Sequence, residues 1–418
     1  MKIGIILGRG TEGCGVTQCA IQMQIASGAT ILSCVDKKWP RGKKIEFPGE
    51  YVEFNLKKGI ESSLINQLNS YDLVVVYSVP SKGHPQETQD NFLELLRLIK
   101  VRKSFINVDH NAQSIARNAN LKEIVNEVDV AMTHALTNPF SEWAKKENIT
   151  TPLLKMRLGF DFDGYRSKYW KDVSQQKPKE VRWIGRLAGW KGPQLMIDFH
   201  NEHLRALNYT TILEGLEASI GYKGVLYKDK EYQNRRQCVN YFRPEKEYGD
   251  GKWSEDLHGQ ESAGEVYLYP PYTHVDCMNR MSLSAFGSDL YHLKPHMYGN
   301  NIENCHAEPI ACGTVPIFHK HFGRHVIHHK TGDPVIESKE SGTIFLDSDN
   351  MEECAHLMRN LSDDAFLRDI YREQAFEFWK SHADGADVVK EIIDISINTP
   401  IENTTNDLEQ FFQIGDMA

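Results

Sequence analysis

The sequence predicts an α/β chain built from two doubly wound parallel sheets. Short, β-branched apolar runs alternate with helical stretches almost from end to end. The alternation weakens once, near residues 150–180, where "DFDGYRSKYWKDVSQQKPKE" is polar and aromatic. At 418 residues the chain is also too long for one ordinary core.

The first series of strands is read at 2–7, 29–35, 72–77, 104–108 and 128–133. Helical stretches such as 86–100 lie between them, the latter opened by Pro85. The second series is read at 181–185, 209–213, 263–270, 314–318 and 342–346, with a helix near 192–204 and closing helices near 350–362 and 364–396. The charged, Tyr-rich stretch 225–262 reads as loop and short helix. The expected division is 1–165 for an N-terminal domain, 175–375 for a C-terminal domain, 376–398 for a C-terminal helix and 399–418 for a tail.

Composition excludes some classes. No apolar run approaches the ~18–20 residues that a membrane span requires, and "MKIGIILGRG" reads as a first strand rather than a leader. The eight cysteines form no CxxC pair and read as free thiols in a reducing compartment. A net charge of −9 gives no general affinity for nucleic acid, although a local basic cleft remains compatible with it.

After the first strand, Gly8, Gly10 and Gly13 satisfy G-x-G-x-x-G, and Asp36 closes the second strand. A nicotinamide-dependent oxidoreductase fits these residues. So does any phosphate or sugar ligand, because glycine admits close backbone approach and a helix N-terminus attracts negative charge. The run continues through Gly15. A plain tight turn is the structural alternative.

The second half carries more specific chemistry. In "GRLAGWKG", Arg186 follows a strand and Lys191 precedes a helix, which places two cations where an open α/β sheet binds ligands and where a diphosphate needs them. In "NIENCHAEPIACGTVPIF", Glu303 and Glu308 flank the start of a short helix, and a carboxylate there can accept two hydrogen bonds from a ribose diol. Solvated cations and a dipole-favoured acid are the bland readings. "DFD" (161–163) sits in the interdomain stretch rather than after a strand, and the histidine-rich "FHKHFGRHVIHHK" (318–330) lacks fixed acidic or Cys partners, so no obligatory metal is expected. A basic loop, "DKKWPRGKK" (36–44), offers Lys37, Lys38, Arg41, Lys43 and Lys44 around Trp39 as phosphate contacts or as a solvated loop.

The order "GR…KG" then "E…ACGTVPI" resembles the donor half of retaining GT-B glycosyltransferases. Where that group commonly has a further Glu, this chain has Asn300, with Glu303 closer in. The chain is more closely similar to the DNA α-glucosyltransferases of T-even bacteriophages. The shared features are "RGTEGCGVT" (9–17), "SVP" (78–80), "DH…S…RN" (109–118), "YWKDVS" (169–174), "RWIGR…WKG" (182–192), "DFH" (198–200), "EGLE" (214–217), "RMS.S.FG" (280–287) and "ACGTVPIF" (311–318), in the family's order.

That resemblance implies a GT-B fold, with two Rossmann-like domains, a donor cleft between them and a C-terminal helix crossing back. It implies an N-terminal acceptor (DNA) domain and a C-terminal nucleotide-sugar domain. The expected donor is a UDP-sugar, held by Arg186 and Lys191 at the diphosphate and Glu308 at the ribose, with Glu303, Gly13, Gly15 and Val16 also on the donor. Asp109 with His110 is the expected catalytic pair. The expected acceptor is double-stranded DNA carrying modified cytosine, in the cytoplasm of an infected bacterium.

One position departs from the family. Val108 stands where the family's "HDH" has its first His. Valine cannot hydrogen-bond a hexose 6-hydroxyl, so UDP-arabinose is favoured over UDP-glucose. The tail around Leu408, Phe411, Phe412 and Ile414 reads as a frayed terminus or a partner-binding segment, with a replication sliding clamp as the expected partner. Competing readings are a glycosyltransferase acting on small molecules or surface glycans, the oxidoreductase, and a DNA-binding protein on a decayed transferase fold.

Overall fold

The computed structural model describes residues 1–8, 15–35, 47–80, 84–108, 118, 120–134, 139–185, 191–215, 239–241, 263–269, 274–291 and 301–400. The chain divides into two compact units. One comprises Met1–Asp161, His296–Asn301 and Ala383–Ala418, and the other comprises Phe162–Pro295 and Ile302–His382.

In the first unit the elements follow as β1 (Ile3–Leu7), α1 (Gly15–Ser27), β2 (Thr30–Cys34), β3 (Tyr51–Phe54), α2 (Ser62–Leu68), β4 (Leu73–Ser78), α3 (Gln86–Leu98), β5 (Arg102–Asn107), α4 (Leu121–Asn126), β6 (Val130–Thr133), α5 (Pro139–Lys146) and β7 (Leu153–Lys155). The seven strands form one parallel sheet in the order β3-β2-β1-β4-β5-β6-β7. Both faces are buried, which is why its central strands read as unbroken apolar runs. Ile6, Leu32, Val74 and Val76 pack on one side, and Ile3, Ile5, Leu7, Ile31 and Val75 on the other.

The direction of winding reverses between β1 and β4, so their C-terminal ends lie side by side. Gly8 is where they touch. Its N–H donates to Ser78 O at 2.8 Å, and a Cβ at Gly8 would lie 2.5 Å from that oxygen. The first glycine of the turn is therefore required by strand packing alone.

The second unit contains α6 (Phe162–Tyr169), β8 (Lys177–Gly185), α7 (Pro193–Phe199), β9 (Thr210–Gly215), β10 (Val239–Tyr241), β11 (Val266–Tyr269), α8 (His274–Met281), β12 (Ser284–Asp289), α9 (Asn304–Ala311), β13 (Val315–His319), α10 (Lys320–His325), β14 (Ile344–Leu346), α11 (Met351–Asp363) and α12 (Ala365–Ala383). Its parallel sheet has the order β10-β11-β9-β8-β12-β13-β14, so the winding reverses between β8 and β12. Val181, Trp183, Leu213 and Phe286 build an apolar core on one face with Met196 of α7 and Met358 of α11.

The opposite face carries buried charge. Arg182 donates to Glu180 Oε1 at 2.9 Å and pairs with Glu214 Oε1 at 3.2 Å, and Arg280 reaches the same Glu214 oxygen at 3.0 Å. Charges of alternating sign compensate one another where water is excluded. Strand β12 was not expected from the sequence, because "SAFGSD" is poor in β-branched residues. Gly287 is needed at its centre, where a Cβ would come within 2.3 Å of Thr314 Oγ1.

The expected single helix over 364–396 is two helices. Asp384 adopts extended backbone, and its side chain accepts from the N–H groups of Ala386 and Asp387, starting α13 (Gly385–Asn398). Residues 376–382 continue α12, and α13 belongs to the first unit. There Val388, Val389 and Ile392 join the core of β1. Arg102 donates to Ser396 O at 2.5 Å and to Thr399 O, placing a cation on the last turn's free carbonyls, and Arg157 forms a two-point pair with Glu391.

His200 opens a π-helical turn after α7 and is fully buried. Its Nε2–H donates to Gly264 O at 3.2 Å, so Nδ1 accepts from the Thr211 hydroxyl at 2.8 Å, the arrangement of a neutral ring. Burial lowers its pKa to about 4. The depressed value means that stability from His200 is complete above the free-imidazole pKa and is lost as pH falls below ~6.5, by roughly 3 kcal/mol once pH is under 4. NMR titration of the His200 ring should show a midpoint near pH 4. A midpoint at the free-histidine value would contradict the burial of a neutral ring.

Candidate active site

The crevice of an open α/β sheet forms at the strand C-termini where winding reverses. In the second unit that place lies between Gly185, which ends β8, and Asp289, which ends β12. Lys191 enters it from the loop that leads to α7. Gly192, the N-cap of α7, has φ 72°, and a Cβ there would lie 2.5 Å from Leu290 O. Only glycine lets the backbone beside Lys191 press this closely on the segment after β12.

Lys191 is buried, with 7 % of its surface exposed. It donates to Glu303 Oε2 at 3.2 Å and to Cys305 Sγ at 3.1 Å, faces Asp289 Oδ2 at 3.9 Å, and lies 4.0 Å from the centre of the Tyr291 ring. Burial opposes its charge, but the carboxylates of Glu303 and Asp289, with the Cys305 sulfur as a hydrogen-bond acceptor, outweigh that, so its pKa is held above the ordinary lysine value. Cys305 remains a thiol, since burial raises its pKa well above normal. Asp289 is braced in turn by the N–H of Tyr291 on Oδ1, at 2.8 Å.

Glu303 is the N-cap of α9, and its own N–H donates to His306 Nδ1 at 3.3 Å. Glu308 does not flank the helix start. It lies in the second turn of α9, and its Oε1 accepts from His274 Nε2 at 2.8 Å. The structure thus joins Lys191 to Glu303 and gives Glu308 a different partner. Asp289, Tyr291, Cys305 and His274 were not anticipated. No sequence signal marks Asp289 or His274, because the partners that give them meaning are distant in sequence.

In the first unit, Gly15 is the first residue of α1 and Val16 the second. Val16 and Val108 both pack, half-buried, against the core around Ile5, with Val108 immediately after β5. Gly10, Gly13, Asp36, Asp109, His110, Arg186, Asn300, the basic residues Lys37, Lys38, Arg41, Lys43 and Lys44, and the tail from 401 onward lie outside the described residues. Of the "DFD" acids, Asp163 holds Lys380 at 2.6 Å, and the backbone N–H of Asp161 donates to Gln22 Oε1 at 2.7 Å. Among the described residues no three His, Cys, Asp or Glu side chains cluster as metal ligands, and no helix is long and apolar enough to cross a membrane.

The family model described as DNA alpha-glucosyltransferase matches residues 14–366. The chain belongs to the DNA alpha-glucosyltransferase family. The DNA alpha-glucosyltransferase of Enterobacteria phage T4 is 30% identical across 94% of this chain and 99% of its own length. An alpha-glucosyltransferase solved in complex with UDP and a 13-mer DNA containing an HMU base superposes with a TM-score of 0.83 at 29% identity, over 95% of this chain and 99% of that one. Another, in complex with UDP-glucose and DNA containing an abasic site, gives the same TM-score, identity and coverage. The fold of this DNA alpha-glucosyltransferase family member is GT-B.

Replacing Lys191 by Met leaves Asp289 and Glu303 facing each other without a cation. It should destabilise the protein by about 3–5 kcal/mol. Adding Asp289→Asn to the same chain should recover part of the loss. Urea unfolding measures both. Wild-type stability in Lys191→Met alone is incompatible with a buried ammonium between these carboxylates.

Proposed function

We propose that this chain transfers a sugar from a UDP-sugar to the hydroxymethyl group of modified cytosine in double-stranded DNA, with retention at the anomeric carbon. The observation that carries this reading is the meeting of Lys191 with Glu303 and Asp289 at the second sheet's switch point in a member of this family. The related alpha-glucosyltransferases, solved with UDP, UDP-glucose and DNA, support the donor and acceptor classes.

In the proposed reaction the hydroxymethyl oxygen bonds to the anomeric carbon on the face from which UDP departs. The bond from that carbon to the diphosphate oxygen breaks, and the acceptor proton passes to the leaving diphosphate. Arg186 and Lys191 neutralise its developing charge, Glu308 binds the ribose diol, and Glu303 with Gly13, Gly15 and Val16 lines the donor. Asp109, beside His110, polarises the acceptor hydroxyl or stabilises the sugar cation. A duplex base must leave the stack to be reached, and Lys37, Lys38, Arg41, Lys43 and Lys44 contact the phosphates around it. The tail from 401 onward is assigned to a sliding clamp.

The favoured donor is UDP-arabinose. Val108 desolvates a hexose 6-hydroxyl without replacing its partner, at about 1–3 kcal/mol, and a pentose has no such group. UDP-glucose is the second reading, favoured by the name of the phage T4 relative.

Mass spectrometry of hydroxymethylated and unmodified DNA, incubated with each UDP-sugar separately, tests donor and acceptor together. Pentose addition confined to hydroxymethylated DNA is expected. Turnover with UDP-glucose and none with UDP-arabinose overturns the pentose donor, and absence of any DNA product overturns the acceptor.

A further inference from the structure

His274 is absent from the roles assigned above, yet its position is hard to explain by folding alone. It is the first residue of α8, on the C-terminal side of the sheet, and its Nε2 lies 2.8 Å from Glu308 Oε1. A carboxylate only accepts, so Nε2 carries the proton and donates. A helix N-terminus is an unfavourable place for an imidazolium, and burial opposes it too. Even so, the charge and hydrogen bond of Glu308 raise the His274 pKa above its ordinary value. The groups facing the ring are Glu308 on α9 and Lys168 and Tyr165 on α6. Glu308 is the one hydrogen-bonded to it.

We propose that His274 is a positioning residue for the donor ribose. By occupying Oε1 it fixes the plane of the Glu308 carboxylate and directs Oε2 towards the ribose 2′- and 3′-hydroxyls. Among the described residues no hydrogen bond reaches Oε2. Glu308 sits on α9, whose start is held by the Lys191–Glu303 contact, and His274 holds the next turn of the same helix. Phosphate and ribose groups of one donor are thereby referred to one short helix. This inference rests on the assignment of Glu308 to the ribose.

The test is calorimetric titration of the full chain with UDP and with 2′,3′-dideoxy-UDP, which keeps the base and diphosphate but lacks the diol. His274→Phe should weaken UDP binding about 5- to 10-fold, the worth of one oriented hydrogen bond, and leave dideoxy-UDP binding unchanged. His274→Gln, whose amide N–H can still donate to Glu308, should restore most of the UDP affinity. Glu308→Gln should likewise affect UDP and spare dideoxy-UDP.

If Glu308→Gln discriminates between the nucleotides and His274→Phe does not, the positioning role is overturned and the ribose assignment stands. If Glu308→Gln weakens both nucleotides alike, the ribose assignment falls and the positioning role with it. Equal weakening of both by His274→Phe marks a structural effect only and also overturns the proposal.

Discussion

An ammonium removed from water must be compensated on the spot, and Lys191 sets that requirement for the second unit. Two carboxylates, a thiol and an aromatic face supply it from two separate segments, 289–291 and 303–305. Each is held in turn. Asp289 ends a strand and is braced by the next loop, Glu303 caps a helix, and Gly192 takes the left-handed conformation that lets the backbone beside Lys191 approach. The winding order brings the ends of β8 and β12 together, and the charge of Lys191 determines what can surround it there.

The two sheets share their winding plan but treat the reversal point differently. In the first unit the described part of that point is backbone pressed on backbone, Gly8 against Ser78. In the second it is a set of fixed charges. The glycine-rich motif, which looks most like a ligand signature, is therefore partly accounted for by strand packing, whereas the less conspicuous Lys191 and Glu303 meet Asp289 at the end of β12.

Strands buried on both faces were legible because apolar runs bounded by polar turns have few alternative explanations. The short strands β3, β7 and β10 and the polar β12 were not, since their pairing is imposed by neighbours rather than by their own residues. The break at Asp384 was hidden inside a helical pattern, because a capping aspartate looks like any surface acid until its backbone is seen. Lys191 and Glu303 could be picked out as charged residues at element boundaries, and Glu308 as an acid near one, although it lies inside the helix. Asp289 and His274 could not, because their significance lies in partners distant in sequence. The burial of Arg182 and Glu180 shows only in their three-dimensional pairing.

The attachment of α13 to the first unit bears on the order in which the chain can mature during synthesis. One face of the β1 sheet is completed by Val388, Val389 and Ile392, from a helix that follows the entire second unit. At usual translation speeds, residues 162–384 take roughly 10–45 s to emerge. Throughout that interval the patch that α13 will cover stays open on an otherwise assembled sheet, and Arg102 and Arg157 stand without the helix carbonyls and carboxylate they will hold. The N-terminal half is thus made first and finished last, and its maturation depends on the ribosome reaching the far side of its partner unit.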